Sequence, residues 1–200
     1  MVQGLSTKEN GQCGVQRGCC HTVISGVVIG QYVTSASLTA SNGRAQEELI
    51  HRALKDGGIS GEDVDYLEAH GTGTSLGDPI EMKAVSSVMN GGRKDTNPLV
   101  LGGVKANIGH LEPAAGLAGL IKAILVLQKE QAPPNAELRT LNPKIREVMT
   151  NCPLHFPMEL ESLRKYTGKS DGEALIAGVS SFGYAGTIAH ALVEQYLHHS

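Results

Sequence analysis

Three glycine-rich stretches of this sequence carry groups able to hold or move protons. The first is Glu68-Ala69-His70-Gly71-Thr72-Gly73-Thr74, running on into Gly77-Asp78-Pro79-Ile80-Glu81. The second is Val104-Lys105-Ala106-Asn107-Ile108-Gly109-His110, and the third is Gly178-Val179-Ser180-Ser181-Phe182-Gly183-Tyr184-Ala185-Gly186-Thr187. As neutral imidazoles, His70 and His110 can each donate an N–H to a thioester or ketone oxygen and stabilise an enolate forming beside it. Lys105 beside them would help keep both neutral, because a nearby cation disfavours a second positive charge. The third stretch, built of small residues, can offer backbone N–H groups to an oxyanion. Each feature also has a plain reading: a solvated histidine, a surface lysine, glycines that serve packing. Their joint occurrence at corresponding places argues for one site.

Each stretch follows an apolar run that reads as a strand, over residues 64–68, 99–104 and 175–181. If these strands are neighbours, their loops converge at the carboxyl ends, where α/β folds place ligands. Asp78, Pro79 and Glu81 read as the N-cap, first position and capping-box acid of a helix over 79–89, although Glu81 can instead pair with Lys105. A further strand is predicted over 21–29. A helix over 45–55 has Leu49, Ile50, Ala53 and Leu54 on one face, and Gly57-Gly58 ends it. The segment 114–129 is apolar nearly all round and studded with glycine and alanine, the pattern of a buried helix. A closing strand is expected from 188. Residues 1–18 read as a flexible lead-in, 31–43 and 90–98 as loops, and 130–170 as irregular. The alternation predicts an α/β domain, a mixed sheet covered by helices.

Composition narrows the function classes. Two hundred residues with 40% apolar content suit one globular domain, and the 25 glycines with only 4% aromatics point to close backbone contacts. A net charge of -3 without a basic cluster argues against nucleic acid. Cys13, Cys19, Cys20 and Cys152 make neither a disulfide framework nor a standard zinc spacing, so no metal is expected. The longest apolar stretch contains Lys122 and is too short to span a bilayer, and residues 1–18 lack an apolar signal core. A cytoplasmic protein without a membrane span is therefore expected. The third stretch lacks the second glycine of a G-x-S-x-G serine-hydrolase elbow. Gly168-Lys169-Ser170 has Leu163 where a phosphate-binding loop needs glycine.

Taken together, the motifs resemble those of β-ketoacyl synthases, and most of all the ketosynthase domains of type I modular polyketide synthases. Glu68 to Thr74 with Gly77 to Glu81 looks like their EAHGTGT-GDPIE motif, and Val104 to Glu112 like VKSNIGHLE. The segment 114–127 resembles the helix that follows. Pro133-Pro134-Asn135 and Asn142-Pro143 resemble their PPN and NP turns, and Gly178 to Thr187 their GVSSFGFGGT loop. The likeness runs over residues 21–196, leaving 1–20 as an unmatched lead-in and 197–200 as a tail. It implies the C-terminal half of a thiolase-like fold and decarboxylative Claisen condensation of an acyl thioester with a malonyl unit on acyl carrier protein. By that resemblance His70 and His110 would assist decarboxylation, while Lys105 orients His110 and pairs with Glu81. Thr72 and Thr74 would support them from behind. Phe182, Gly183 and Tyr184 would form the gating and oxyanion loop. No resident cofactor is implied, since the substrate rides on the carrier's phosphopantetheine, and the complete enzyme would be a homodimer.

The departures shape the expectation further. The family's nucleophilic cysteine, in a TACSSS-like motif, has no counterpart here. The chain thus reads as the histidine-bearing half of a condensing enzyme that needs a Cys-bearing N-terminal half as partner. The alternative is an inactive remnant or a carrier-protein-binding module. Gly30, Tyr32, Val33, Ala185 and Ile188 also depart from the family pattern.

Overall fold

The computed structural model describes residues 5–7, 21–31, 42–149 and 152–197. Cys13, Cys19, Cys20, Tyr32 and Val33, and most of the expected loop over 31–43, lie outside these residues. Strand β1 (Leu5–Thr7) and strand β2 (Thr22–Gln31) lead into helix α1 (Gly43–Gly57). Strand β3 (Tyr66–Glu68), helix α2 (Gly77–Met89), strand β4 (Leu99–Gly102) and the short helix α3 (Val104–Ile108) follow. Next come helix α4 (Ala115–Lys129), β5 (Gln131–Ala132), helix α5 (Pro143–Val148), β6 (Leu154–His155) and β7 (Glu161–Ser162). Strands β8 (Ile176–Phe182) and β9 (Thr187–Gln195) close the described chain.

Among the described residues, seven strands form one mixed sheet in the order β1-β2-β9-β8-β3-β4-β6, and β5 pairs with β7 in a separate two-stranded sheet. Strands β8, β3, β4 and β6 run parallel, whereas β9 is antiparallel to both β8 and β2. The period of two in the strands sorts the core. Leu67, Leu99, Leu101, Ile176 and Leu192 face α1 and α2, with Leu49, Ile50, Ala53, Met82, Val85 and Met89. Their neighbours Tyr66, Val100, Ala177 and Val193 face α4, with Ala123, Ile124 and Leu127. Both faces of the sheet are therefore covered, as its parallel half requires.

Local chemistry sets the helix ends. Asn42 caps α1 by accepting the Ala45 N–H at 3.0 Å, and Gly58 ends it in the left-handed region at φ 63°. Asn142 caps α5 with Pro143 at its start, so the stretch expected to be irregular holds a short helix. The lead-in likewise holds a strand, with Leu5 to Thr7 pairing parallel to Thr22 to Ile24. Helix α4 differs from the buried helix expected. Ala115, Gly119, Ala123, Ile124, Val126 and Leu127 are buried against the sheet, but Leu117 and Leu125 are 59% and 48% exposed. The helix buries the face that meets this sheet and leaves its other apolar face open.

Candidate active site

The three parallel strands β8, β3 and β4 are neighbours, so their carboxyl ends bring the three glycine-rich stretches to one edge of the sheet. There they line a cavity of about 740 Å³ whose walls include His70, Thr72, Thr74, Glu81, His110, Phe182, Gly183 and Tyr184. The imidazole rings of His70 and His110 stand edge to face with centroids 6.0 Å apart, and Phe182 lies 5.3 Å from His70.

The backbone fixes the tautomers of both rings. The Phe182 N–H donates to His70 Nδ1 at 3.3 Å, and the Glu112 N–H donates to His110 Nδ1 at 2.9 Å. A nitrogen that accepts carries no proton, so in each neutral ring the proton sits on Nε2. His70 is held neutral well below its usual range, at about 4, first by burial and then by the Lys105 ammonium and His110.

Glu81 does something other than close a capping box. Its two carboxylate oxygens accept the N–H groups of His70 and Gly71 at 2.7 and 2.9 Å, pinning the loop's first residues to α2. Burial pushes its carboxyl up to about 7, against the pull of those two amides. Asp78, expected as the N-cap, lies in the first turn and accepts the Gly73 N–H at 3.1 Å, while Leu76 occupies the cap position without a side-chain bond. The Thr74 hydroxyl accepts the Gly77 N–H at 3.0 Å and so braces the helix start. The reason is topological. The loop doubles back over α2, and acids in the first turn find folded-back amides closer than the helix's own.

Lys105 sits on α3, one turn of helix where a loop was expected. Among the described residues no ion pair joins it to Glu81. Burial lowers its pKa, and Glu81, Glu68 and Asp78 together pull it back up. In the third stretch, the Phe182 N–H is taken by His70 and the Gly183 N–H by the Thr187 carbonyl at 2.6 Å. Of the three expected oxyanion residues, only Tyr184 has an amide without a hydrogen bond among the described residues, and its side chain is 75% exposed. Ser180 points into the core, its Oγ 3.0 Å from Nδ1 of the buried His190, whereas Ser181 lines the cavity. Cys152 is buried and is not among the cavity's lining residues.

Sequence reasoning missed Gln46, a buried polar residue of α1 that also lines the cavity. It missed the bond from the Glu112 amide too, because backbone donors leave no mark in residue types. Among the described residues no helix is long and apolar enough to cross a membrane.

The family described as "Beta-ketoacyl synthase, C-terminal domain" matches residues 21–139. A phenolphthiocerol/phthiocerol polyketide synthase of Mycobacterium tuberculosis is 42% identical over 86% of this chain and 9% of its own length. The 6-methylsalicylic acid synthase of Aspergillus niger is 41% identical over 89% of this chain and 10% of its own. Among solved structures, the ketosynthase from module 6 of the bacillaene synthase of Bacillus subtilis 168 superposes with a TM-score of 0.78 at 36% identity. The match covers 88% of this chain and 30% of that one. An oxazolomycin ketosynthase domain from Streptomyces albus JA3453 gives a TM-score of 0.80 at 31% identity, over 90% and 31% of the two chains. The chain thus spans about a tenth of these curated relatives and under a third of these ketosynthase structures. With its motifs on three adjacent strand ends of a thiolase-like α/β fold, the chain belongs to the β-ketoacyl synthase C-terminal domain family, in its polyketide-synthase ketosynthase form.

Proposed function

We propose that this chain supplies the histidine-bearing part of a decarboxylative condensing site. The site would join an acyl thioester, held on a cysteine of another segment, to a malonyl unit on the phosphopantetheine of an acyl carrier protein. One observation carries the reading. Both His70 and His110 accept a main-chain N–H at Nδ1, which leaves the proton on Nε2, and both residues line the same cavity. Two such donors suit the carbonyl oxygen of a malonyl thioester. As the bond to the carboxylate breaks, its electron pair passes into an enolate whose oxygen the two N–H groups stabilise, and CO₂ leaves. The enolate carbon then attacks the acyl carbonyl. A carbon–carbon bond forms and the cysteine thiolate departs. Burial, aided by Lys105, keeps His70 neutral, and Glu81 holds the backbone on which His70 sits.

An exposed apolar surface supports a covering partner. His110 is exposed, and Ile108, Leu111 and Leu117 near it in the chain are 57%, 43% and 59% exposed. Apolar surface of this kind marks an interaction site. The partner proposed for it is the Cys-bearing ketosynthase half, within a homodimeric complete enzyme. The test mixes the purified chain with such a half and malonyl-carrier substrate and follows CO₂ release. His110→Ala should reduce release about 100-fold or more, the scale of losing one preorganised donor. No release from two folded pieces overturns the reading.

A second reading, a carrier-protein-binding module without turnover, is favoured by the engaged amides of Phe182 and Gly183. It predicts binding of malonyl-carrier protein without CO₂ release.

A further inference from the structure

A buried charged cluster beneath the site plays no part in the mechanism above. Glu68, the last residue of β3, is 1% exposed, yet it sits between apolar neighbours. Its Oε2 accepts the Tyr66 hydroxyl at 2.7 Å and lies 3.0 Å from Lys122 Nζ on α4. Its Oε1 accepts the Val104 N–H, the first amide of α3, at 2.5 Å. Among the described residues the Lys122 ammonium has no partner in hydrogen-bond geometry, so the ion pair is what holds it.

The backbone makes room for this cluster at two places. A methyl on Gly102 would overlap the Tyr66 hydroxyl and approach Lys122 Nζ to 2.9 Å. A methyl on Gly119 would come within 3.2 Å of Glu68 Cγ. Burying an ion pair is a poor way to add stability, since apolar residues of the same volume usually do as well or better. What Glu68 adds that a leucine cannot is a tether. It joins the strand that leads to His70, two residues on, to the helix start that carries Lys105, one residue on. The tether matters because α3 is short, its Gly103 cap offers no side-chain bond, and Lys105 has no ion pair among the described residues.

We propose that Glu68 is a positioning residue: through the Val104 amide it fixes Lys105 against His70, with Lys122 and Tyr66 holding the carboxylate in place. The inference rests on the reading of His70 as a site group, but it is tested without turnover. A failed condensation assay would therefore leave it standing, and a failed titration would leave the condensation reading standing.

The test is a histidine-resolved NMR titration of the whole chain, with resonances assigned through histidine variants. In the unaltered chain His70 should titrate at about 4, lowered first by burial and then by Lys105 and His110. Glu81, bonded to its amide, and the neighbouring Asp78 are unchanged in every variant. Lys105→Met should raise the midpoint toward 6.5. Glu68→Leu/Lys122→Met removes the acceptor without stranding a buried charge, and it should raise the midpoint as far as Lys105→Met does. Adding Lys105→Met to that pair should produce no further rise. Glu68→Gln/Lys122→Met keeps an oxygen for the Val104 amide and should leave the midpoint at the wild-type value. An unmoved midpoint in a folded leucine variant overturns the proposal, as does an equal shift in the glutamine variant. If the leucine variant does not fold, a wild-type midpoint in the glutamine variant beside a raised one in Glu68→Gly/Lys122→Met supports it, and equal midpoints overturn it.

Discussion

Replacing His190 by glutamine should change how the stability of this chain depends on pH, by an amount set by one buried ring. His190 lies on β9 with no solvent exposure, its Nδ1 3.0 Å from Ser180 Oγ and its Nε2 without a partner among the described residues. Burial alone lowers its pKa from 6.5 to about 4. Between those values the unfolded chain binds a proton that the folded chain refuses. The contribution is therefore fully present above pH 6.5 and is lost as the pH falls toward 4. A drop of that size corresponds to about 3 kcal/mol, a large share of a typical domain's stability. Urea unfolding followed by circular dichroism, from neutral pH down to about 4, gives the free energy of both proteins. Subtracting the Gln variant's curve cancels the other titrating groups, provided that they are distant from the change. The difference should be flat above 6.5 and fall by about 3 kcal/mol toward pH 4. Parallel curves would refute the reasoning: the ring would then be protonated in place or reached by water.

Three further outcomes follow from the site and its supports. Glu81→Gln leaves one of the two loop amides facing an NH₂ group, which should cost about 1–3 kcal/mol in urea unfolding at pH 8. Glu81's raised pKa also stabilises the fold fully below 4.5 and loses that effect as the pH rises through 7, a dependence that the variant should lack. Gly178→Ala places a methyl 2.9 Å from Leu67 Cδ1 and 3.1 Å from the His190 ring, so the melting temperature should fall with a loss of about 1–3 kcal/mol. Leu117→Asp, at a 59% exposed position, should change the isolated chain's stability by less than about 0.5 kcal/mol. The same change should abolish CO₂ release when the chain is mixed with a Cys-bearing half.

Much of the fold was legible because local patterns and tertiary demands agree. The apolar run Leu99-Val100-Leu101 reads as a buried strand, and the structure buries all three, Leu99 and Leu101 on one side of the sheet and Val100 on the other. Leu49, Ile50, Ala53 and Leu54 pack as their spacing predicts. The misreadings fall where a long-range partner outbids a local one. Asp78 and Glu81 have the spacing of a helix cap, but the doubled-back loop brings them backbone amides from Gly73, His70 and Gly71. The expected ion pair of Lys105 with Glu81 is not formed among the described residues: Glu81 acts on Lys105 through space, with its oxygens directed at the two loop amides. Glu68 and Lys122 left a faint trace, two lone charges in apolar runs, which signals mutual pairing only once β3 and α4 are known to touch.

The set of chemical groups, most of the strands and helices that carry them, and the family to which they belong can be read from residue order alone; the turn of helix under Lys105 cannot. Residue type and short-range periodicity are properties of neighbouring residues, and they survive without a fold. Packing across the whole chain makes β8, β3 and β4 adjacent and parallel, which turns three separate motifs into one cavity. It also decides which nitrogen of His70 and His110 bears the proton, because the donors come from the backbone of Phe182 and Glu112. Main-chain amides are the same at every residue, so only their placement in space can select the tautomer.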